Sequence, residues 1–124
     1  MDPQTYTNGV AALYRTAHHL LQTGDPRRAA SIFRTMITVA PGDERGWLGL
    51  GVCHEQVDQP EVAIEVYRSA SFVLARGARC ELAAYRLLVE HGGDEEAADF
   101  MLAQAREHAD DELLEVVEAE EQAR

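Results

Sequence analysis

A chain of 124 residues, 46% hydrophobic and only 6% aromatic, is long enough for one modest core and reads as a single domain, 1–124. Its formal net charge of −11 argues against nucleic acid or an anionic membrane surface as the partner. No stretch reaches membrane-spanning length, and Met1-Asp2-Pro3-Gln4 places no basic segment before an apolar run, so a cytoplasmic protein is expected, without membrane insertion.

The apolar residues are mostly alanine, leucine and valine, which suit helices, and nothing alternates as a strand does. The class expected is all-α. The charge is uneven: from Asp94 onward there are twelve acidic residues and two arginines, whereas residues 1–93 are close to neutral. All eleven basic residues are arginine.

In chain order the patterning predicts helices over about 8–23, 26–40, 44–57, 60–75, 79–91 and 94–108. A last, acidic helix follows at about 111–122, capped by Asp110. Pro26, Pro41 and Pro60 stand at turns or first helical positions, where the missing N–H does no harm.

The first four helices repeat. Leu13, Ala17, Leu20, the Gly24-Asp25-Pro26 turn, Ala29, Phe33, Met36 and Pro41 recur 34 residues later as Trp47, Gly51, His54, Asp58-Gln59-Pro60, Ala63, Tyr67, Ala70 and Ala75. That period, with Trp, Leu-Gly, a turn, and an alanine and aromatic four apart, resembles the tetratricopeptide repeat. A third unit is degenerate: its turn, His91-Gly92-Gly93-Asp94, is one residue longer, and Ala98, Leu102 and Ala105 fit a shift of 35. The architecture expected is a helical-hairpin solenoid with repeats at about 8–41, 42–75 and 78–108, closed by a C-terminal capping helix at 110–122.

Two glycines, Gly49 and Gly51, fall in the third helix beside the only tryptophan. Each costs about 1 kcal/mol of helix propensity relative to alanine. Gly51, like Ala17, is expected where hairpin helices approach closely, opposite Ala63 and Ala29, with Trp47, Leu50 and Tyr67 packed in return. Burying one such aromatic contributes roughly 2–3 kcal/mol. Gly49 lies between two faces and is not explained this way.

The first helix of each hairpin should line a concave surface, at positions one residue after the packing stripe. These are Ala11, Tyr14, His18 and Leu21, then Arg45, Leu48, Val52 and Glu55, then Leu82, Tyr85 or Arg86, and Val89. The first helix thus carries a second apolar stripe, which a surface helix does not need. The expectation is a groove with an apolar centre and arginines and Glu55 at its edge, fit for an extended peptide segment.

Chemistry is not expected. His18-His19 and Cys53-His54 are consecutive and diverge on a helix, and no histidine has a partner at ligand spacing, so no metal site is expected. Cys53 and Cys80 read as two buried thiols of a reduced protein. No phosphate loop, zinc-protease or nucleophile-elbow motif occurs, so neither an enzyme nor a cofactor is expected. The acidic end reads as a polar-faced cap of the solenoid or, alternatively, as a detachable helix docking on a partner or on the chain's own groove.

The stretch from Leu13 to Ala75 is similar to the core of the type III secretion chaperones for translocator proteins. The marks are Leu13-Tyr14, the Gly24 turn, Ala29 with Phe33, Asp43-x-Arg45-x-Trp47-Leu48-Gly49-Leu50-Gly51-x-Cys53, Ala63-Ile64, Tyr67 and the later Ala83-Ala84-Tyr85-Arg86-Leu87-Leu88, over about residues 10–108. The resemblance implies three tetratricopeptide-like repeats in a bacterial cytoplasmic chaperone. It would hold hydrophobic pore-forming translocators soluble before export by binding a short extended segment of each in the groove. It also implies a possible homodimer. Tyr14 matches a groove aromatic of that family, and His18 and Leu21 stand where aromatics are usual. The other reading is a generic tetratricopeptide adaptor or assembly factor.

Overall fold

The computed structural model of the chain describes residues 1–123. Seven helices follow one another: α1 Pro3–Gln22, α2 Pro26–Val39, α3 Glu44–Gln56, α4 Pro60–Val73, α5 Ala78–Glu90, α6 Glu95–His108 and α7 Asp111–Ala123. Each helix packs on the next, and α1, α3, α5 and α7 also touch in sequence, whereas α2, α4 and α6 do not touch one another. The first helices of the hairpins therefore stand side by side on the inner wall, and the second helices fan outward.

Short polar residues start the helices. Asp2, Asp25, Asp43 and Asp94 each accept a backbone N–H of the first turn, and Asp110 accepts the N–H of Leu113 at 2.8 Å. Helix α1 begins five residues before the predicted start, because Asp2-Pro3 supplies both the cap and a first-turn proline. Helix α4 ends at Val73, two residues early. Helix α5 lacks a side-chain cap of its own; instead the Glu44 carboxylate, at the start of α3, accepts the Cys80 N–H at 2.9 Å.

The hairpin turns share one geometry. Gly24, Asp58 and Gly92 have φ of 85°, 59° and 63°. The backbone N–H after each of them bonds back to the carbonyl of Leu20, His54 or Leu88. This is the 6→1 bond of a left-handed helix terminus. The three residues are spaced by 34, so the extra residue of the third turn is Gly93, and α6 runs on at a shift of 35 with Ala98 in the place of Ala29 and Ala63.

Two apolar clusters fill the solenoid. One centres on Ala17, Ala29, Phe33 and Met36 of α1 and α2, with Leu50 and Cys53 of α3. The other runs from Ala63 and Tyr67 of α4 through α5 and α6 to Val117 of α7. The glycines of α3 serve both. A Cβ on Gly51 would overlap the Tyr67 ring, and one on Gly49 would overlap the Phe33 ring. Gly49 is thus a second close approach, between α3 and α2, which the offset from the packing stripe had concealed. Trp47 is only half-buried; its indole Nε1 donates to the Pro41 carbonyl at 2.9 Å and closes the turn before α3.

Candidate functional site

On the inner wall, α1 and α3 flank a cavity of about 250 Å³. Tyr14, His18 and Leu21 come from α1, and Arg45, Leu48 and Val52 from α3. Phe33 of α2 forms its floor beside Gly49, where the missing Cβ admits the ring. Positions three or four apart on each helix face the same way, which is why two stripes meet across one cleft. The sequence reading placed Phe33 in the core only. Its match to Tyr67 hid the fact that the floor of a cleft between two inner helices must come from the outer helix behind them.

The polar rim is built around Arg45. Its guanidinium grips Asp43 with both arms, Nε to Oδ1 at 3.0 Å and a terminal nitrogen to Oδ2 at 2.7 Å. The Arg45 side chain holds the Asp43 carboxyl below its ordinary range, while the same bond raises the Arg45 pKa. The guanidinium carbon lies 4.8 Å from the centroid of the Tyr14 ring, and Tyr14 stacks on His18 with centroids 5.6 Å apart. Such a cation–π contact contributes about 0.5–1 kcal/mol at exposed sites. The aromatic wall is therefore held in place from the cap of α3.

A second depression, of about 370 Å³, continues past Leu48. Leu82, Ala83, Arg79 and Arg86 of α5 line it together with Leu113 and Val116 of α7. Eight of the expected groove residues thus line one of two hollows that share Leu48. Three do not. Ala11 is half-buried on α1 and lines neither hollow. The Glu55 carboxylate accepts the hydroxyl hydrogen bond of Tyr67 and so joins α3 to α4. Tyr85 is 3% exposed and packs in the second core cluster, because α5 is enclosed by α4, α6 and α7 and keeps less free face than α1 or α3.

A larger hollow, of about 520 Å³, opens between Tyr6, Val10 and the loop before α3. The Tyr6 hydroxyl donates to the Val39 carbonyl there at 2.6 Å. Its walls mix polar and apolar groups, whereas the cleft at Tyr14 is apolar except at its rim.

The two cysteines are poorly suited to covalent chemistry. Burial pushes the Cys53 thiol up to about 11 and raises that of Cys80, where Glu44 adds to the effect. Both stay protonated at neutral pH, and a thiol is a poor nucleophile. The one buried carboxylate among the described residues, Glu81, accepts from the Ser71 hydroxyl at 2.7 Å and lies 2.8 Å from His108 Nδ1. It joins α4, α5 and α6 behind the wall.

No protein-family model matches the sequence, and no curated protein does. Solved structures do. The type III secretion translocator chaperone SycD of Yersinia enterocolitica superposes with a TM-score of 0.79 at 24% identity, over 95% of this chain and 91% of that one. PcrH from Pseudomonas aeruginosa gives 0.78 at 23% identity, over 99% and 93%. PcrH in complex with the chaperone-binding region of PopD gives 0.74 at 22% identity, over 94% and 91%. The chain has the fold of the translocator chaperones. The all-α, tetratricopeptide-like architecture expected from the period of 34 is therefore the observed one.

Proposed function

We infer that the protein is a chaperone of type III secretion that binds an extended segment of a hydrophobic translocator protein in the cleft between α1 and α3. The observation that carries this reading is the apolar, open cleft floored by Phe33 and walled by Tyr14, Leu21, Leu48 and Val52. A folded protein seldom leaves an aromatic and three aliphatic side chains around a hollow without use for it. The likeness in fold to PcrH, whose structures include complexes with the chaperone-binding regions of PopD and PopB, supports the same use here. So does SycD in complex with a peptide of the translocator YopD.

In this reading an apolar side chain of the client enters above Phe33, and Arg45 and His18 meet the client backbone or an acceptor at the rim. Client affinity comes from removing apolar area from water, at about 25 cal/mol per Å² before ordering costs. Work of this kind belongs in the bacterial cytoplasm before export and needs no cofactor. SycD also forms an alternative dimer, and a homodimer is a possible state of this chain in the same reading.

The test is co-expression with a candidate hydrophobic translocator protein. Wild type should keep a translocator in the soluble fraction and co-purify with it. Tyr14→Ala with Leu48→Glu should lose the client while keeping its helical circular dichroism. Equal client recovery with this double variant would overturn the groove assignment. Recovery of soluble assembly components in place of a hydrophobic client would move the function to a general adaptor.

A further inference from the structure

Helix α7 has fewer buried side chains than any of the other six helices. It touches only α5 and α6 among its non-neighbours and neighbours in the chain. Val117 is its single fully buried side chain, whereas α5 buries eight. Leu113 and Leu114 are half-buried beside it. The remaining hold is ionic. Glu120 pairs with Arg86 of α5 at 3.3 Å, and Glu121 and Glu118 pair with Arg106 of α6 at 2.7 and 4.0 Å. All three pairs are partly exposed and open to screening by salt.

We propose that the face of α5 and α6 under α7 is a docking site for an acidic amphipathic helix, and that α7 is its resident, exchangeable occupant. The chemistry that the site accepts is written in α7: an apolar edge of Leu113, Val116 and Val117, with carboxylates one turn or more beyond that reach Arg86 and Arg106. A partner helix of that pattern makes the same contacts. The charge agrees, since Arg86 and Arg106 are ion-paired with α7, and both find carboxylates only there among the described residues.

Exchange has a consequence for the inner wall. Leu113 and Val116 form one side of the depression that continues from the cleft through Leu48. When another helix replaces α7, that side is rebuilt with the incoming residues. The site then lengthens or reshapes the surface offered to an extended client. This part rests on the chaperone reading above; the docking site itself does not.

The experiment uses the full chain and a fluorescent synthetic peptide with the sequence of residues 110–123, added in trans. Wild type should bind it weakly, because its own α7 competes. Leu113→Asp with Val117→Asp, which removes the apolar hold, should bind it at least tenfold more tightly. A second variant, Glu118→Gln with Glu120→Gln and Glu121→Gln, alters only partly exposed side chains and leaves the apolar seat intact. It too should bind the peptide at least tenfold more tightly than wild type, and adding Arg86→Glu and Arg106→Glu should abolish that gain. Equal affinity of wild type and the glutamine variant, or a gain that survives the arginine reversal, overturns the proposal. A chain that exchanges the peptide yet binds no translocator keeps this site and removes the chaperone reading; the converse removes this site alone.

Discussion

The two ends of the inner wall are built on one plan and finished differently. At the α1 end, only Val10 and Ala17 of a 20-residue helix are fully buried, and Tyr14 and Leu21 stand half-exposed over an open cleft. At the α5 end, eight of thirteen residues are buried, and α7 supplies the wall that the cleft lacks. The same hairpin thus yields an apolar surface that is left open at one end and met by the chain itself at the other. An open apolar cleft needs a partner; a walled one is already partly satisfied. In the proposed reading the client belongs at α1 and α3, and α7 is the adjustable element.

The strongest way to test that contrast is Phe33→Ala. Its ring is 1% exposed and serves both as core and as floor of the open cleft. Loss of about 3–5 kcal/mol of stability is expected, read by urea unfolding. If the solenoid unfolds as one unit, signals from both ends shift together; two separated transitions would show that the ends are independent.

Gly49→Ala and Gly51→Ala each push a methyl group into an aromatic ring, Phe33 or Tyr67. Overpacking of about 1–3 kcal/mol should outweigh the gain in helix propensity of about 1 kcal/mol. Only the first substitution should also reshape the open cleft and weaken client binding. Gly9→Ala is the matched control. It lies inside α1 with nothing within 4 Å of the added Cβ, so thermal unfolding should show a gain of up to about 1 kcal/mol.

Ser71→Ala probes the filled end alone. It removes one donor from the fully buried Glu81 carboxylate, and a loss of about 1–3 kcal/mol is expected in calorimetry, with no change at the α1 cleft.

The smallest effect concerns pH. The folded-state pKa of Asp43 lies below its ordinary 3.8 because of Arg45, so its contribution is present above that value and fades as pH falls through the lower folded one. Acidification below about pH 3.8 should loosen Arg45 from Asp43, and with it the Tyr14 wall, while Asp43→Asn should remove the pH dependence of the Tyr14 ring chemical shifts.

Much of this molecule was legible in its residues. A recurrence of 34 with small residues at fixed places names a helical hairpin, because packing two helices closely demands a small residue at each crossing. The offset of one residue then found Tyr14, His18, Leu21, Arg45, Leu48 and Val52, since side chains three and four apart share a face whatever the protein does. The same rule failed for Tyr85, where burial on several sides of α5 leaves no free stripe to predict, and for Glu55, whose carboxylate is taken by Tyr67. The sequence by itself determined the helices, the places of the hairpin turns and the inner stripe, because these depend on neighbours within a few residues. Tertiary structure alone decided that Gly49 makes room for Phe33, that Glu44 caps α5 from across the wall, and that α7 rests on Arg86 and Arg106. Those facts join residues 15 to 36 positions apart, and no local pattern carries the distance between them.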